Sequence, residues 1–531
     1  MLEWIKSKLR PPSMALLLQA ERAYAAGALA EAHRDCIEVL RRSPEEVRAL
    51  SLLASMAADA RQVEEGMQWA QRAMAVDPLA AAPRYAAGRL LEAAGRYDEA
   101  EANYREAIRL APDHARAHNN LGSVLHMQGR LDEALACYRK ALELDPAQPE
   151  ANQNYATLSR DGGARERAVE GYLRQISANP TDAGAFGNLA ATYAELGRHR
   201  EALASFERAI AIDPGRAAAH YGRALLLLLC GDYAEGWKEF EWRWQIGAYN
   251  SPAHRFPQPM WDGARIDGAV LLHAEQGFGD MLQLVRYAPK VAERCGAVIL
   301  ECPPALEPLL RSVESAGRVV VQGEPLPPFA AHLPMMSLPR IFGTTLENVP
   351  WRGAYLRADP QRAAEWRRIV DAEGAAGLRV GLVWAGNPRN WTDRGRSVSL
   401  ESLAPLARAS GAVFYSVQKG EAGAQAASPP AGMKMVDLTS RLRDFADTAA
   451  LVTCLDLVIS VDTAVAHLAG AMGIPTWVLL PHVPDWRWLL ERSDSPWYPA
   501  MRLFRQDVAG DWSGVIERMA AELAGGTLRR I

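Results

Sequence analysis

Residues Gly95–Pro146, GRYDEAEANYREAIRLAPDHARAHNNLGSVLHMQGRLDEALACYRKALELDP, carry one small pattern twice. Gly95, Ala100, Tyr104 and Pro112 recur as Gly129, Ala134, Tyr138 and Pro146, each 34 residues further on. Working outward, the step holds over the first half of the chain. Prolines stand at Pro44, Pro78, Pro112, Pro146, Pro180 and Pro214, and glycines at Gly27, Gly95, Gly129, Gly163, Gly197 and Gly231. Arg61 takes the one glycine place left over. Ala168 and Ala202, then Tyr172, Phe206 and Phe240, extend the other two ladders. A fixed period of this size is the mark of stacked repeats.

Each period reads as two helices. Leu121, Val124 and Leu125 share one helical face, and Leu131, Leu135, Tyr138 and Leu142 share the next. Gly129 suits the left-handed turn between them, Ala134 lets the helices approach, and Pro146 ends the unit. The pattern resembles the tetratricopeptide repeat, with seven units over residues 11–248 after an N-terminal segment, residues 1–10. Stacked helix pairs curve and expose a concave binding groove. Asn120, Asn154 and Asn188 are again 34 apart and are expected on that concave side. They resemble the asparagine ladder with which the superhelix of O-linked N-acetylglucosamine transferases holds a peptide backbone. An amide suits that task because it both donates and accepts; asparagine is also a common choice at this place in such repeats.

Composition bounds the rest. The 531 residues carry Lys+Arg 59 against Asp+Glu 63, a net charge of −4, which gives no polycation for nucleic acid. Six scattered cysteines form no Cys-x-x-Cys pair, so neither a disulfide framework nor a zinc cluster is expected. The longest apolar run, Ala224–Cys230, is far below the ~20 residues that span a bilayer, and a cytoplasmic chain with no transmembrane segment is expected. Of 15 Trp, only Trp4 and Trp69 precede Trp237. Trp237, Trp242 and Trp244 are expected to cap the last repeat.

Beyond a linker at residues 249–263 the period changes. VLLHAE, AVILEC, RVVVQ, RVGLVWA, VFYSVQ, LVISV and TWVLLP alternate with helical stretches. This implies parallel sheets and two Rossmann-like domains, at 264–375 and 376–531. Ligands of such sheets sit beyond the carboxyl ends of the strands. Gly277 and Gly279 follow VLLHAE and lead into a helix, where backbone N–H groups can face an anion. A third glycine is missing for a dinucleotide fingerprint, although Glu301 keeps that reading open. Asp462 and Thr463 are expected to cap a helix after LVISV, with a neutral His467 one turn inside. Asn387, Arg389, Trp391, Arg394 and Arg396 form a basic loop after RVGLVWA that suits a diphosphate. Gln418 and Lys419 follow VFYSVQ, as candidates for base and ribose or as an ordinary loop.

The segment DTAVAHLAGA resembles the Asp-Thr-Gly-x-x-His-Leu-Ala motif of lipopolysaccharide heptosyltransferases, with Ala464 in place of the glycine. The resemblance implies a GT-B glycosyltransferase in which Asp462, Thr463, Ala464 and His467 contact nucleotide-sugar phosphates. GFGD resembles that family's first loop, which passes the acceptor-base role to Asp280. Arg396 falls where the family has its phosphate-binding lysine, without the adjoining Trp-Pro. The whole architecture resembles bacterial proteins that join tetratricopeptide repeats to such a domain. It implies inverting, metal-independent transfer from a nucleotide-diphosphate sugar, with no further cofactor, to a polypeptide in the repeat groove, flagellin or another bacterial protein. Two other readings fit: a scaffold carrying an inactive transferase relic, and a transferase acting on polysaccharide or lipid-linked glycan.

Overall fold

The computed structural model describes residues 12–161, 163–246, 256–275, 277–351, 353–373, 377–388 and 395–525. Trp4, Arg389, Trp391, Arg394 and part of the expected linker lie outside them. The chain divides into two compact units, Met1–Tyr193 with Ala211–Asp213, and Ala194–Ile210 with Pro214–Ile531.

Among the described residues the repeat region holds fourteen α-helices, from Pro12–Ala25 to Tyr233–Glu239. The period is set by the backbone at its turns. Gly27, Gly95, Gly129, Gly163, Gly197 and Gly231 all have φ between +73° and +88°, and Arg61 adopts φ +56° at the same place without being glycine. A Cβ at Gly129 would meet nothing within 4 Å, so its role is conformational. In the first unit Ala100, Ala134 and Ala168 are fully buried, and Tyr104, Tyr138 and Tyr172 are buried with them. The rings close over two glycines that the ladders do not include. A Cβ on Gly88 would stand 2.6 Å from the Tyr104 ring, and one on Gly122 2.7 Å from Tyr138.

The second unit contains the final helix pair, Ala217–Leu229 and Tyr233–Glu239, a 3-10 turn Phe240–Gln245, and two parallel sheets. The first sheet has strands β1 (Ile266–His273), β2 (Cys295–Cys302), β3 (Arg318–Val321) and β4 (Ala331–Pro334) in the order β3-β2-β1-β4. The second has β5 (Leu378–Val383), β6 (Ala412–Ser416), β7 (Met435–Asp437), β8 (Leu457–Val461), β9 (Thr476–Leu480) and β10 (Met501–Arg505) in the order β10-β9-β8-β5-β6-β7. Every named pairing is parallel. The chain is therefore a helical repeat region followed by an α/β region of Rossmann-like type. Val380, Leu382, Trp384, Leu457, Ile459, Trp477 and Phe504 form part of the core of the second sheet.

Strands β4, β7 and β10 were not legible as strands in the sequence, and all three are edges. An edge strand lacks one neighbour and need not show the long apolar run of a central one. Helix Pro360–Ala372, with buried Trp366, separates the two groups of strands. No helix among the described residues is long and apolar enough to cross a membrane, and no group of metal-binding side chains occurs among them.

Candidate functional site

Two short helices begin at the carboxyl ends of central strands, Phe278–Leu284 after β1 and Ala464–Ala471 after β8. Their first turns meet. A Cβ on Gly279 would stand 2.7 Å from His467 Cδ2, so Gly279 is narrow for the sake of the facing histidine. The sequence expectation, backbone N–H groups facing an anion, gives no sign of this ring contact. Gly277 is the N-cap of the first helix. Asp280, three positions on, accepts from the Gly277 N–H and ion-pairs with Arg487 from the loop after β9. The first bond is half of a capping box.

Arg487 is held from both sides. Its Nη1 donates to Asp485 Oδ1 at 2.7 Å, and its Nε to Gln283 Oε1 at 2.7 Å. Burial raises the Asp280 carboxyl above its ordinary value, against the pull of Arg487. Asp462 is pushed up to about 6, first by burial and then by the Asp485 charge, with Arg396 and Arg487 acting the other way. His467 is held well below the usual histidine range by burial and by the charges of Arg487, Arg286 and Arg396. It is neutral at physiological pH. Its Nδ1 lies 2.9 Å from Tyr498 Oη, its Nε2 3.7 Å from Asp462 Oδ1, and its ring stacks on Trp488 at 5.4 Å.

Thr463 takes the N-cap position of the second helix but its side chain caps nothing. The hydroxyl lies 2.9 Å from Ser460 Oγ, and Ser460 donates to Val461 O at 2.6 Å. Since that carbonyl can only accept, Thr463 is the donor to Ser460. The N–H groups of the first turn, beginning at Ala464, therefore receive no cap from Thr463, and a helix N-terminus in that state favours an anion. Arg396 is half-buried, and its charge acts on Asp280, Asp462 and His467 together.

The other expected residues make contacts of their own. Gln418 Oε1 accepts from Trp384 N and Ala385 N, and its Nε2 donates to Ala385 O and Lys419 O, at 2.8–3.0 Å. All four positions of the amide hold strand ends. Lys419 Nζ donates to Thr439 O and Leu442 O. Asn387 is exposed in the loop after β5. In the first unit, Asn154 Nδ2 donates to Asn119 Oδ1 at 3.1 Å, and Asn119 Nδ2 donates to Asn120 Oδ1 at 3.1 Å. Asn120 also reaches the Tyr85 and Tyr104 hydroxyls. Asn188 accepts from Thr192 Oγ1 through its backbone carbonyl. The sequence reading did not single out Arg487, Asp485 or Tyr498, although the run DWRWLLERSDSPWYP contains all three.

Residues 407–479, from before β6 to within β9, match glycosyltransferase family 9 (heptosyltransferase). The C-terminal half carries a heptosyltransferase-family domain. That match contains Asp462, Thr463, Ala464 and His467, while Asp280, Arg396 and Arg487 lie outside it. Residues 85–149 and 183–216 match the tetratricopeptide repeat. The chain is 28% identical over 330 residues to Protein FlbA of Caulobacter vibrioides, covering 57% of this chain and 54% of that protein. It thus spans about half the length of the curated relative it matches. Among solved structures, YrrB, described as a TPR protein with an unusual peptide-binding site, is 23% identical over 36% of this chain and 98% of its own, with TM-score 0.32. Pseudomonas aeruginosa pilF is 20% identical over 40% and 96%, with TM-score 0.37. By the family matches, tetratricopeptide repeats precede the heptosyltransferase-family domain.

Proposed function

We propose that the chain is a GT-B glycosyltransferase that moves a sugar from a nucleotide-diphosphate sugar to a hydroxyl of a polypeptide held by the repeats. The observation that carries this reading is the meeting of the Gly277–Asp280 turn with the Thr463–His467 turn, the second of which lies within the stretch that matches the heptosyltransferase family. One turn supplies a carboxylate of raised proton affinity; the other supplies N–H groups and a dipole for an anion.

In the proposed step the acceptor hydroxyl gives its proton to Asp280 as its oxygen bonds to the sugar C1. The bond between C1 and the diphosphate oxygen breaks with inversion, and the diphosphate leaves with the electron pair. Arg396 and the first-turn N–H groups from Ala464 onward stabilise its charge. Arg487 and the Gly277 N–H occupy part of the Asp280 carboxylate, which has about four acceptor positions and so retains room for the acceptor hydroxyl. Asp462 and His467 flank the sugar-phosphate, the latter as a neutral hydrogen-bonding group. Asn120, Asn154 and Asn188 hold the acceptor backbone, and flagellin or another bacterial protein fits such a groove.

The Asp280–Arg487 ion pair also favours a second reading, a scaffold that binds a nucleotide sugar without turning it over. A panel of nucleotide sugars incubated with the protein separates the two. A transferase releases nucleoside diphosphate slowly by leakage to water, and Arg396→Ala binds that diphosphate at least tenfold more weakly in calorimetry. Binding with no release at all supports the scaffold.

A further inference from the structure

We propose that the final repeat is a working part of the transferase site, in which Arg243 positions the Asp280 loop through Glu275, and Trp237 with Tyr233 positions Arg487 through Trp486 and Trp497. The proposal rests on the transferase reading above for its functional consequence, but not for its geometry.

The final repeat breaks its own period where it touches the sheets. Trp237 stands where the three preceding periods have Leu203, Val169 and Leu135. Arg243 stands at the place of Ala209, Ala141, Ala107 and Ala73, each fully buried, with Gln175 and Val39 the other departures. A repeat that had only to close its own helix pair gains nothing from a guanidinium in a methyl-sized place.

Every guanidinium nitrogen of the fully buried Arg243 is used. Nε donates to Glu275 Oε2 at 3.0 Å and Nη2 to Glu275 Oε1 at 3.1 Å. Nη2 also donates to Ser337 Oγ, and Nη1 donates to Phe240 O and Glu241 Oε1. Glu275 Oε1 accepts in addition from the Met336 N–H. Glu275 lies between the end of β1 and the Gly277 cap, so the planar two-bond fork fixes the direction of the chain as it enters the Asp280 turn. A buried pair of this kind adds little net stability over an apolar one. Its product is geometry.

The second contact comes from the helix Tyr233–Glu239, just before that 3-10 turn. Tyr233 and Trp237 are one turn apart and share a face. Trp237 meets Trp486 edge-on at 5.0 Å, and the Arg487 guanidinium lies over the Trp486 ring at 4.3 Å. Trp497 Nε1 donates to Tyr233 Oη at 2.9 Å, while Trp497 O accepts from Arg286 Nη1 at 2.7 Å. Asp280 and Arg487 come from different sheets, yet both segments are tied to the stretch Tyr233–Gln245.

The test restores the period in the full-length chain, with Trp237→Leu and with Arg243→Ala/Glu275→Gln, the second change removing the acid that would otherwise stay buried and unpaired. Hydrogen exchange by mass spectrometry is read over residues 277–287 and 485–498, and hydrolysis of a nucleotide-sugar panel is read as kcat and KM. The expected result is at least tenfold faster exchange, over 485–498 in the first variant and over 277–287 in the second. Exchange over residues 12–193 stays at the wild-type rate. Hydrolysis loses kcat at least tenfold while donor KM changes less than kcat, because the final repeat bears on the 464–471 helix indirectly, through Gly279 and Trp488. Tyr233→Phe, which deletes one hydroxyl, raises exchange over 485–498 even if the larger changes prevent folding. Wild-type exchange over these segments in every variant overturns the proposal. If the wild-type protein hydrolyses no donor and binds no nucleoside diphosphate, the transferase reading falls, and the exchange data still decide the positioning role.

Discussion

In the repeats, Gly129 sits where the backbone must turn into the left-handed region, with open space around it. In the sheet region, Gly279 sits at an ordinary backbone angle with the ring of His467 against it. The same residue type answers a conformational demand in one place and a steric demand in the other. The first demand repeats every 34 residues and can be read along one line of sequence. The second links residues on helices that follow strands of different sheets and becomes visible when the two helices are brought together. The comparison separates a region built by local rules from one whose chemistry depends on long-range encounters.

The sharpest way to break this contrast is at Asp280. Asp280→Asn keeps the shape of the turn and removes the proton acceptor, and turnover is expected to fall by about 10²–10⁴-fold with the fold intact. Normal transfer by this variant would return the site to the status of a packing cluster. Next in size is Gly279→Ala, which drives a methyl group into His467 and is expected to cost about 1–3 kcal/mol in chemical denaturation, with loss of diphosphate binding. If it melts like the wild type, the two turns do not meet as described.

Asp462 gives a prediction with a sign in pH. Its proton affinity is raised to about 6, so its ionised form is the disfavoured one in the folded protein. The associated stability is complete below the ordinary aspartate range near pH 4 and is lost as pH rises through about 6. Asp462→Asn is therefore expected to melt several degrees above the wild type at pH 7.5, with the gap closing toward pH 4. A constant gap between those values would contradict the assignment. The smallest effect belongs to the repeats. Gly129→Ala meets no neighbour, and its cost of about 1–2 kcal/mol comes from backbone strain alone. A larger loss would mean that the turn is packed as well as bent.

These cases show why some of the molecule was legible and some was not. Ala134, Tyr138 and Gly129 announce the helix pair because each has one local role, repeated on a line. β1, β2, β3, β5, β6, β8 and β9 announce themselves as apolar runs, whereas Ala331–Pro334 and Met501–Arg505 are edges without one. Asp280, Asp462 and His467 were readable because a motif carries them. Arg487 was not, for its meaning lies in Asp280, which is 207 positions away. Gln418 shows the converse. A polar residue at a strand end suggests a ligand, and here its whole amide is taken up by backbone. Thr463 stands between the two, since its position at a helix start was legible and its bond to Ser460 was not.

The central claim is that the two facing turns form one donor-processing site. It is tested most directly by incubating the wild-type protein and Asp280→Asn with a panel of nucleotide-diphosphate sugars and following release of nucleoside diphosphate. The account predicts slow release from one donor by the wild type, and retained binding with at least a hundredfold slower release by Asp280→Asn. Equal release by the two proteins, or a wild type that binds no nucleoside diphosphate, would contradict it.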